Sequence, residues 1–274
     1  MKISVVLPSR GRTRQLTAAL ISLQVLASED HQILYGVACD DDDPATYDHL
    51  VDWKADGFRQ LCILHGPRAE SLGALDNMLA ERMPADVYVV WGDDLMCCTE
   101  GWDRVIAAAV ERVPHGVFWW QTQFNVPSLV PIITEKWRQA SGTLFTEFFP
   151  YWYDDLWLWE LWQFTTDAMP EFLPIMMADK PVGTTRMREL AFWAKFYHSM
   201  RGFRVREGIR IAEALGLPRP KAELVVPEVF RLYTEMHPDM VKAVEASNKA
   251  ETGPADPAYL RAKARAVAML EKAA

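Results

Sequence analysis

The chain has 274 residues, 50% of them hydrophobic and 24% charged, with a formal net charge of −8 and four cysteines. That is enough chain for one α/β domain with an appendage and too apolar for a disordered one, while the acidic balance counts against a general nucleic-acid binder, which needs a basic face to neutralise phosphates. Cys39, Cys62, Cys97 and Cys98 have neither CxxC spacing nor a His cluster beside them, so a zinc site and a disulfide framework are disfavoured and reduced thiols in a cytoplasmic protein are expected.

The opening stretch MKISVVLPSRGR has too short an apolar part for a signal-peptide core and runs straight into Pro8 and arginines, so it reads as a first strand over residues 3–7. Residues 14–26 carry Leu16, Ala19, Leu20 and Leu23 at helical spacing, and 33–38 form a second strand. Asp43-Pro44 predicts a helix start, with Asp as the N-cap and Pro at the first helical position. A third strand at 61–64, a helix at 71–82, a fourth strand at 87–91 and a helix at 100–112 follow. The alternation predicts an α/β fold whose mainly parallel sheet is flanked by helices. In such sheets ligands collect at the carboxyl ends of the strands.

From Phe118 the texture turns aromatic and irregular. Every tryptophan but Trp53 lies between Trp91 and Trp193. The stretch FTEFFPYWYDDLWLWELWQFTT contains a helix over 154–164. Residues 187–200 carry an apolar stripe, and an Ala-rich amphipathic helix at 256–272 follows a hinge at 252–257 that holds a Gly and two Pro. The chain thus ends in a helical extension. No apolar run approaches the roughly 18 residues of a membrane span, so no transmembrane segment is expected.

The polar residues gather at the strand ends. Ser9, Arg10, Gly11, Arg12 and Arg14 follow the first strand and Asp40 to Asp43 the second; His65, Gly66, Pro67 and Arg68 follow the third, and Asp93 and Asp94 the fourth. Basic groups on two loops and acidic groups on the other two suit an anion that carries a divalent metal. Two adjacent like charges at a strand tip repel unless a cation or free solvation relieves them. Hard oxygen donors favour Mg²⁺ or Mn²⁺, which use one or two carboxylates and fill the rest of their shell with water and phosphate. The plainer alternative is one Asp capping the next segment and the other solvated. For Asp40 to Asp43 the plainer reading is a soluble acidic surface, with Asp43 as helix cap and Asp42 solvated.

The pieces ISVVLPSRGR, VACDDDD and VYVVWGDDLMCCTEGW together resemble the GT-A glycosyltransferases of the broad family-2 type, over roughly residues 1–165. Those enzymes open with a strand and such a loop, carry an Asp after the second strand, and place a short DxD-like acidic motif after the fourth, commonly followed by Gly-Trp. Here the motif is Gly92-Asp93-Asp94 rather than a strict DxD. The resemblance implies a metal-dependent transferase that moves a sugar from a nucleoside-diphosphate sugar to an acceptor hydroxyl, inverting rather than retaining. Asp94 is then the metal ligand, with Asp93 as second ligand or ribose contact. Pro8, Ser9, Arg10 and Arg12 lie along the nucleotide, and Asp40 or Asp41 meets base or ribose. Arg68 and the turn at Gly73 approach the nucleotide with the backbone, while Asn77 has a structural part. Asp154-Asp155 stands where such enzymes carry an acidic pair opening a helix; Asp155 supplies the general base, held ionised by the helix N-terminus. The alternative is a cap and a dipole partner. His198 is the candidate for a later His that completes the metal site in some relatives, and on its apolar helix it also reads as an ordinary surface or core His.

On this reading 1–125 is the nucleotide-sugar-binding half, 126–203 the acceptor-side half of the same domain, and 204–274 a helical C-terminal extension. Trp152 and Tyr153 are candidates for an acceptor platform, whereas Trp159 and Trp162 fit a core. The acceptor itself, whether glycan, lipid, protein or modified nucleic acid, is not legible. Competing expectations are a non-catalytic nucleotide-sugar or glycan-binding relative, a sugar nucleotidylyltransferase and a glycosidase. An RNA-dependent polymerase, which also uses GDD, needs a longer chain and a basic channel.

Overall fold

The computed structural model describes residues 1–121, 130–150, 153–179, 188–223 and 255–273. Contacts divide the chain into two units interleaved in sequence: Met1–Ala69, Ala74–Phe145 and Pro170–Pro181 form the first, and Glu70–Gly73, Thr146–Met169 and Val182–Ala274 the second. This division does not coincide with the three stretches read from the sequence, which follow motifs rather than contacts.

The first unit is built on β1 (Lys2–Pro8), α1 (Thr13–Leu26), β2 (Gln32–Asp40), α2 (Pro44–Ala55), β3 (Leu61–Gly66), α3 (Leu72–Arg82), β4 (Val87–Val90), β5 (Leu95–Cys97), α4 (Trp102–Arg112), β6 (Val117–Gln121), β7 (Pro131–Thr134) and α5 (Glu135–Ser141). A further strand, β8 (Glu171–Asp179), comes later in the chain, beyond helix α6 (Asp154–Thr166) of the second unit. The first two residues of α3 count with the second unit. Among the described residues the sheet has eight strands in the order β3-β2-β1-β4-β7-β6-β8-β5. Strands β3, β2, β1 and β4 are mutually parallel, and β6 pairs with β8 in parallel; the contacts of β7 with β4 and β6, and of β5 with β8, are antiparallel. The sheet is therefore mainly parallel, as the alternation predicts.

The apolar runs explain the burial. Ile3, Val5, Val6, Leu7, Val87 and Val89 are wholly buried, as expected of strands covered on both faces. Leu16, Ala19, Leu20 and Leu23 form the buried stripe of α1. Trp102 is buried at the start of α4, and its indole N–H donates to the Leu23 carbonyl at 2.9 Å. Gly101, at φ +65°, takes the left-handed turn that admits this helix. Asn77 is structural: its amide nitrogen donates to the Phe145 carbonyl at 3.0 Å, and its oxygen accepts from the amides of Leu144 and Phe145 at 2.9 and 3.1 Å.

In the second unit, α6 is joined by α7 (Leu190–Ser199), α8 (Arg201–Ala214) and α9 (Pro257–Ala273). Trp157, Leu158, Trp159, Leu161, Trp162 and Phe164 on α6 are all buried, each large side chain contributing about 1.5–3 kcal/mol. Gly208 of α8 lets this helix approach α6, since a Cβ there would stand 2.5 Å from Phe164. Glu160, a lone acid among the aromatics of α6, pairs with buried Arg204 of α8. The guanidinium also donates to the Tyr197 carbonyl at 2.6 Å and lies over the rings of Tyr197 and Trp157 at 4.0 and 4.7 Å. Of the hinge expected at 252–257, residues 252–254 lie outside the described residues and Pro257 already begins α9.

Candidate active site

The position of the polar loops follows from strand order and register. β1 pairs Pro8 with Ala38 and Val6 with Val90, and β2 pairs Asp40 with Gly66. Four parallel strands aligned in this way end at one edge of the sheet. The chain passes from β1 to β2 and β3 on one side and then returns to place β4 on the other side of β1. That reversal is the switch point at which open α/β sheets bind ligands. Its central loop, residues 9–12, lies between the two acidic loops.

The loop reaches both ways. Toward β2, Arg10 donates from Nη1 to Asp40 Oδ2 at 2.7 Å and pairs with Asp42 through both terminal nitrogens. The Gly11 amide donates to Asp43 Oδ2 at 2.7 Å, in a left-handed conformation at φ +65° that suits glycine. Toward β4, Ser9 Oγ donates to Asp93 Oδ2 at 2.8 Å. Arg12 spans the acidic pair, with Nη2 3.0 Å from Asp93 Oδ1 and Nη1 donating to Asp94 Oδ2 at 2.9 Å. In this structure a guanidinium thus stands where the sequence leads one to expect a metal cation.

Burial sets the electrostatics. Asp93 is 2% exposed. Its carboxyl is pushed up to about 6 by burial, with Asp94 adding to the rise and Arg12 and Ser9 opposing it. Asp42 is exposed, as expected, and in addition lies below its ordinary value because Arg10 hydrogen-bonds it. Asp43 caps α2 as predicted, accepting from the Thr46 amide at 3.4 Å. Its carboxyl is low: burial raises it, but the hydrogen bonds from Thr46 and Gly11 outweigh that. Asp40 is buried and Asp41 exposed at the same strand end. Arg68 is half-buried and close enough to lower Asp42 through its charge. Gly73 is buried and helical, in the first turn of α3 rather than in a turn before it.

The turn after β4 is tight. The Leu95 amide donates to the Gly92 carbonyl at 3.2 Å, and a Cβ on Gly92 would meet the Leu95 side chain at 3.0 Å and Asp94 Oδ1 at 3.1 Å. Two adjacent carboxylates of this kind supply hard oxygen donors suited to Mg²⁺ or Mn²⁺. Among the described residues no third His, Cys, Asp or Glu joins them. A single guanidinium offsets two carboxylates only in part, so the pair fits a divalent ion provided that Arg12 moves off.

In the second unit Asp154 and Asp155 form the first turn of α6. Asp154 Oδ1 accepts from the Asp155 amide at 2.9 Å and Asp155 Oδ1 from the Leu156 amide at 2.8 Å. Burial raises both carboxyls, and the charge of Asp155 raises Asp154 further. The helix N-terminus therefore does not keep these acids as readily ionised as ordinary carboxylates; desolvation wins. Tyr153 precedes them at φ +78°, a left-handed conformation costing a bulky residue on the order of 1–3 kcal/mol. It is 4% exposed and stacks on Tyr197 with ring centroids 5.0 Å apart, so it is a packed residue rather than an open platform. Trp152 lies outside the described residues. His198 is exposed near the end of α7, its ring 5.5 Å from that of Tyr197.

The arrangement of this sheet and its strand-end loops is a GT-A-like α/β fold. Among solved structures the chain is similar to the mannosyltransferase PcManGT from Pyrobaculum calidifontis in complex with GDP-Man and Mn²⁺, at 14% identity and a TM-score of 0.56, over 99% of this chain and 81% of that one. It is likewise similar to S. aureus TarS 1-349 in complex with UDP-GlcNAc, at 12% identity and a TM-score of 0.58, over 100% of this chain and 81% of that one. Of a longer TarS chain it spans 32%. No family model and no curated protein matches the sequence. Among the described residues no helix is long and apolar enough to cross a membrane.

Proposed function

We propose that the chain is a glycosyltransferase that moves a sugar from a nucleoside-diphosphate sugar to an acceptor hydroxyl with inversion, assisted by Mn²⁺ or Mg²⁺. The observation that carries this reading is the network of Arg10, Arg12, Asp40, Asp93 and Asp94 at the switch point, in a fold whose solved neighbours hold GDP-Man with Mn²⁺ or UDP-GlcNAc.

Roles follow from chemistry. Asp94 and Asp93 are the residues to hold the ion; His198, which does not join them among the described residues, is left out of this set. When bound, the ion supplies positive charge against the diphosphate that leaves. Pro8, Ser9, Arg10 and Arg12 line the nucleotide, Asp40 or Asp41 accepts from base or ribose hydroxyls, and Arg68 and Gly73 border it. The acceptor oxygen forms a bond to the anomeric carbon as the bond from that carbon to the diphosphate oxygen breaks. The diphosphate keeps the electron pair, and the hydroxyl proton passes to Asp155. A carboxyl raised by burial is a better proton acceptor than an ordinary one, provided it is ionised. Asp154, bonded to the Asp155 amide, positions it.

A melting experiment with UDP and GDP, with and without Mn²⁺, tests the donor side, since a bound ligand raises the melting temperature with affinity and concentration. The expected result is a shift that requires metal and is lost in Asp94→Ala. A shift without metal, untouched by that substitution, overturns the assigned ligands.

A further inference from the structure

Arg12 sits where only one cation can act. Its two terminal nitrogens take one oxygen from each carboxylate, at 3.0 and 2.9 Å. Ser9 takes the second oxygen of Asp93 at 2.8 Å, so three of the four oxygens already have a partner among the described residues. A divalent ion contacts carboxylate oxygens at about 2.0–2.2 Å. Placed between these acids, it would meet a guanidinium of like charge on the same oxygens. The two cations exclude each other.

Three features show that the guanidinium can move without disturbing the loop. The backbone is fixed independently: the Arg12 carbonyl accepts from the Leu16 amide at 2.9 Å as α1 begins, and Gly11 is tied to Asp43. The Arg12 side chain keeps 23% of its surface exposed. Its Nε is buried without a hydrogen-bond partner, so this pose leaves one of the five donors unsatisfied. An arginine built only to neutralise the pair would be expected to satisfy that edge too.

Resting on the reading of Asp93 and Asp94 as metal ligands, we propose that Arg12 is a resident cation of this pair, displaced by the divalent ion that arrives with a nucleoside diphosphate. The guanidinium then turns onto the diphosphate, whose geometry suits its fork of donors. Metal alone binds weakly, because it must eject Arg12 with nothing to receive it. Metal and nucleotide bind together, each favouring the other by the same factor. In this arrangement Arg12 prevents a bare ion from occupying the site before the donor is present.

The test measures Mn²⁺ uptake by the full chain, from the electron paramagnetic resonance signal of free Mn²⁺, with and without UDP or GDP. In Arg12→Gln, Mn²⁺ alone is expected to bind about tenfold tighter than in the unmodified protein, within the usual range of coupling between sites. The enhancement by nucleotide should shrink. Asp94→Asn, losing the uptake, locates the ion. Should Arg12→Gln fold poorly, Arg12→Lys, whose single ammonium cannot span both acids, is expected to lie between the two. Equal or weaker uptake of Mn²⁺ alone by these variants overturns the resident-cation proposal while leaving the metal site intact, if the unmodified protein takes up Mn²⁺ with UDP or GDP. If it takes up none with either nucleotide, the metal reading falls and this inference with it.

Discussion

The two units carry their clustered acids in different ways. At the sheet edge of the first, Asp40, Asp42, Asp93 and Asp94 each meet an arginine from the loop of the central strand. At the start of α6 in the second, Asp154 and Asp155 lean on backbone amides, and among the described residues neither forms an ion pair. One group of acids is compensated by charge. The other is left under the penalty of desolvation, which suits a group that must take up a proton. The contrast also runs within the second unit, where Glu160 does have an arginine, buried with it under aromatic rings.

Substitutions can break this contrast, the largest effect first. Asp155→Asn is expected to lower the transfer rate by about 10²–10⁴-fold, the usual worth of a general base, while the melting shift with UDP or GDP and Mn²⁺ persists. A loss of both would assign Asp155 to binding rather than to proton transfer, and unchanged turnover would remove its role. Next, Glu160→Gln leaves Arg204 buried beside a neutral partner and should cost about 3–5 kcal/mol in urea denaturation. Asp42→Asn, at a half-exposed pair with Arg10, should cost less than about 1 kcal/mol. Similar losses at the two positions would show that the loop arginines are structural.

A further effect, comparable with the last, depends on pH. Burial and Asp155 raise the carboxyl of Asp154 above its unfolded value. Its folded form therefore prefers the proton: the native state is favoured at low pH, and that advantage is lost as pH rises from the ordinary carboxylate range near 4 through the raised value. Asp154→Asn keeps an oxygen for the Asp155 amide and removes the penalty. Its stability relative to the unmodified protein should grow by on the order of 1 kcal/mol toward pH 8 and vanish near pH 4. A gain that is the same at every pH would point to packing instead of charge.

Much of the first unit was legible residue by residue. The β-branched runs, the stripe of α1 and the Asp43-Pro44 start of α2 depend on neighbours in the chain, and each stands as expected. The acidic loops were legible as charged strand ends, but their partners were not. The pairs Arg10 with Asp42 and Arg12 with Asp94 join residues 32 and 82 positions apart. One signal was available: two arginines, separated by a single glycine, on the loop of a strand flanked by acidic loops on both sides. A second was the single Glu in LWLWELW, a charge that an apolar helix cannot bury alone.

Sequence by itself determined the alternation of strand and helix, and with it the sheet edge at which the charged loops end, because periodicity and capping act over a few residues. Only the tertiary structure decided which charges neutralise one another and how far Tyr153, Asp154 and Asp155 are withdrawn from water. Desolvation and ion pairing depend on what lies across space from a group. Strand order brings those groups together, and a pattern along the chain does not record it.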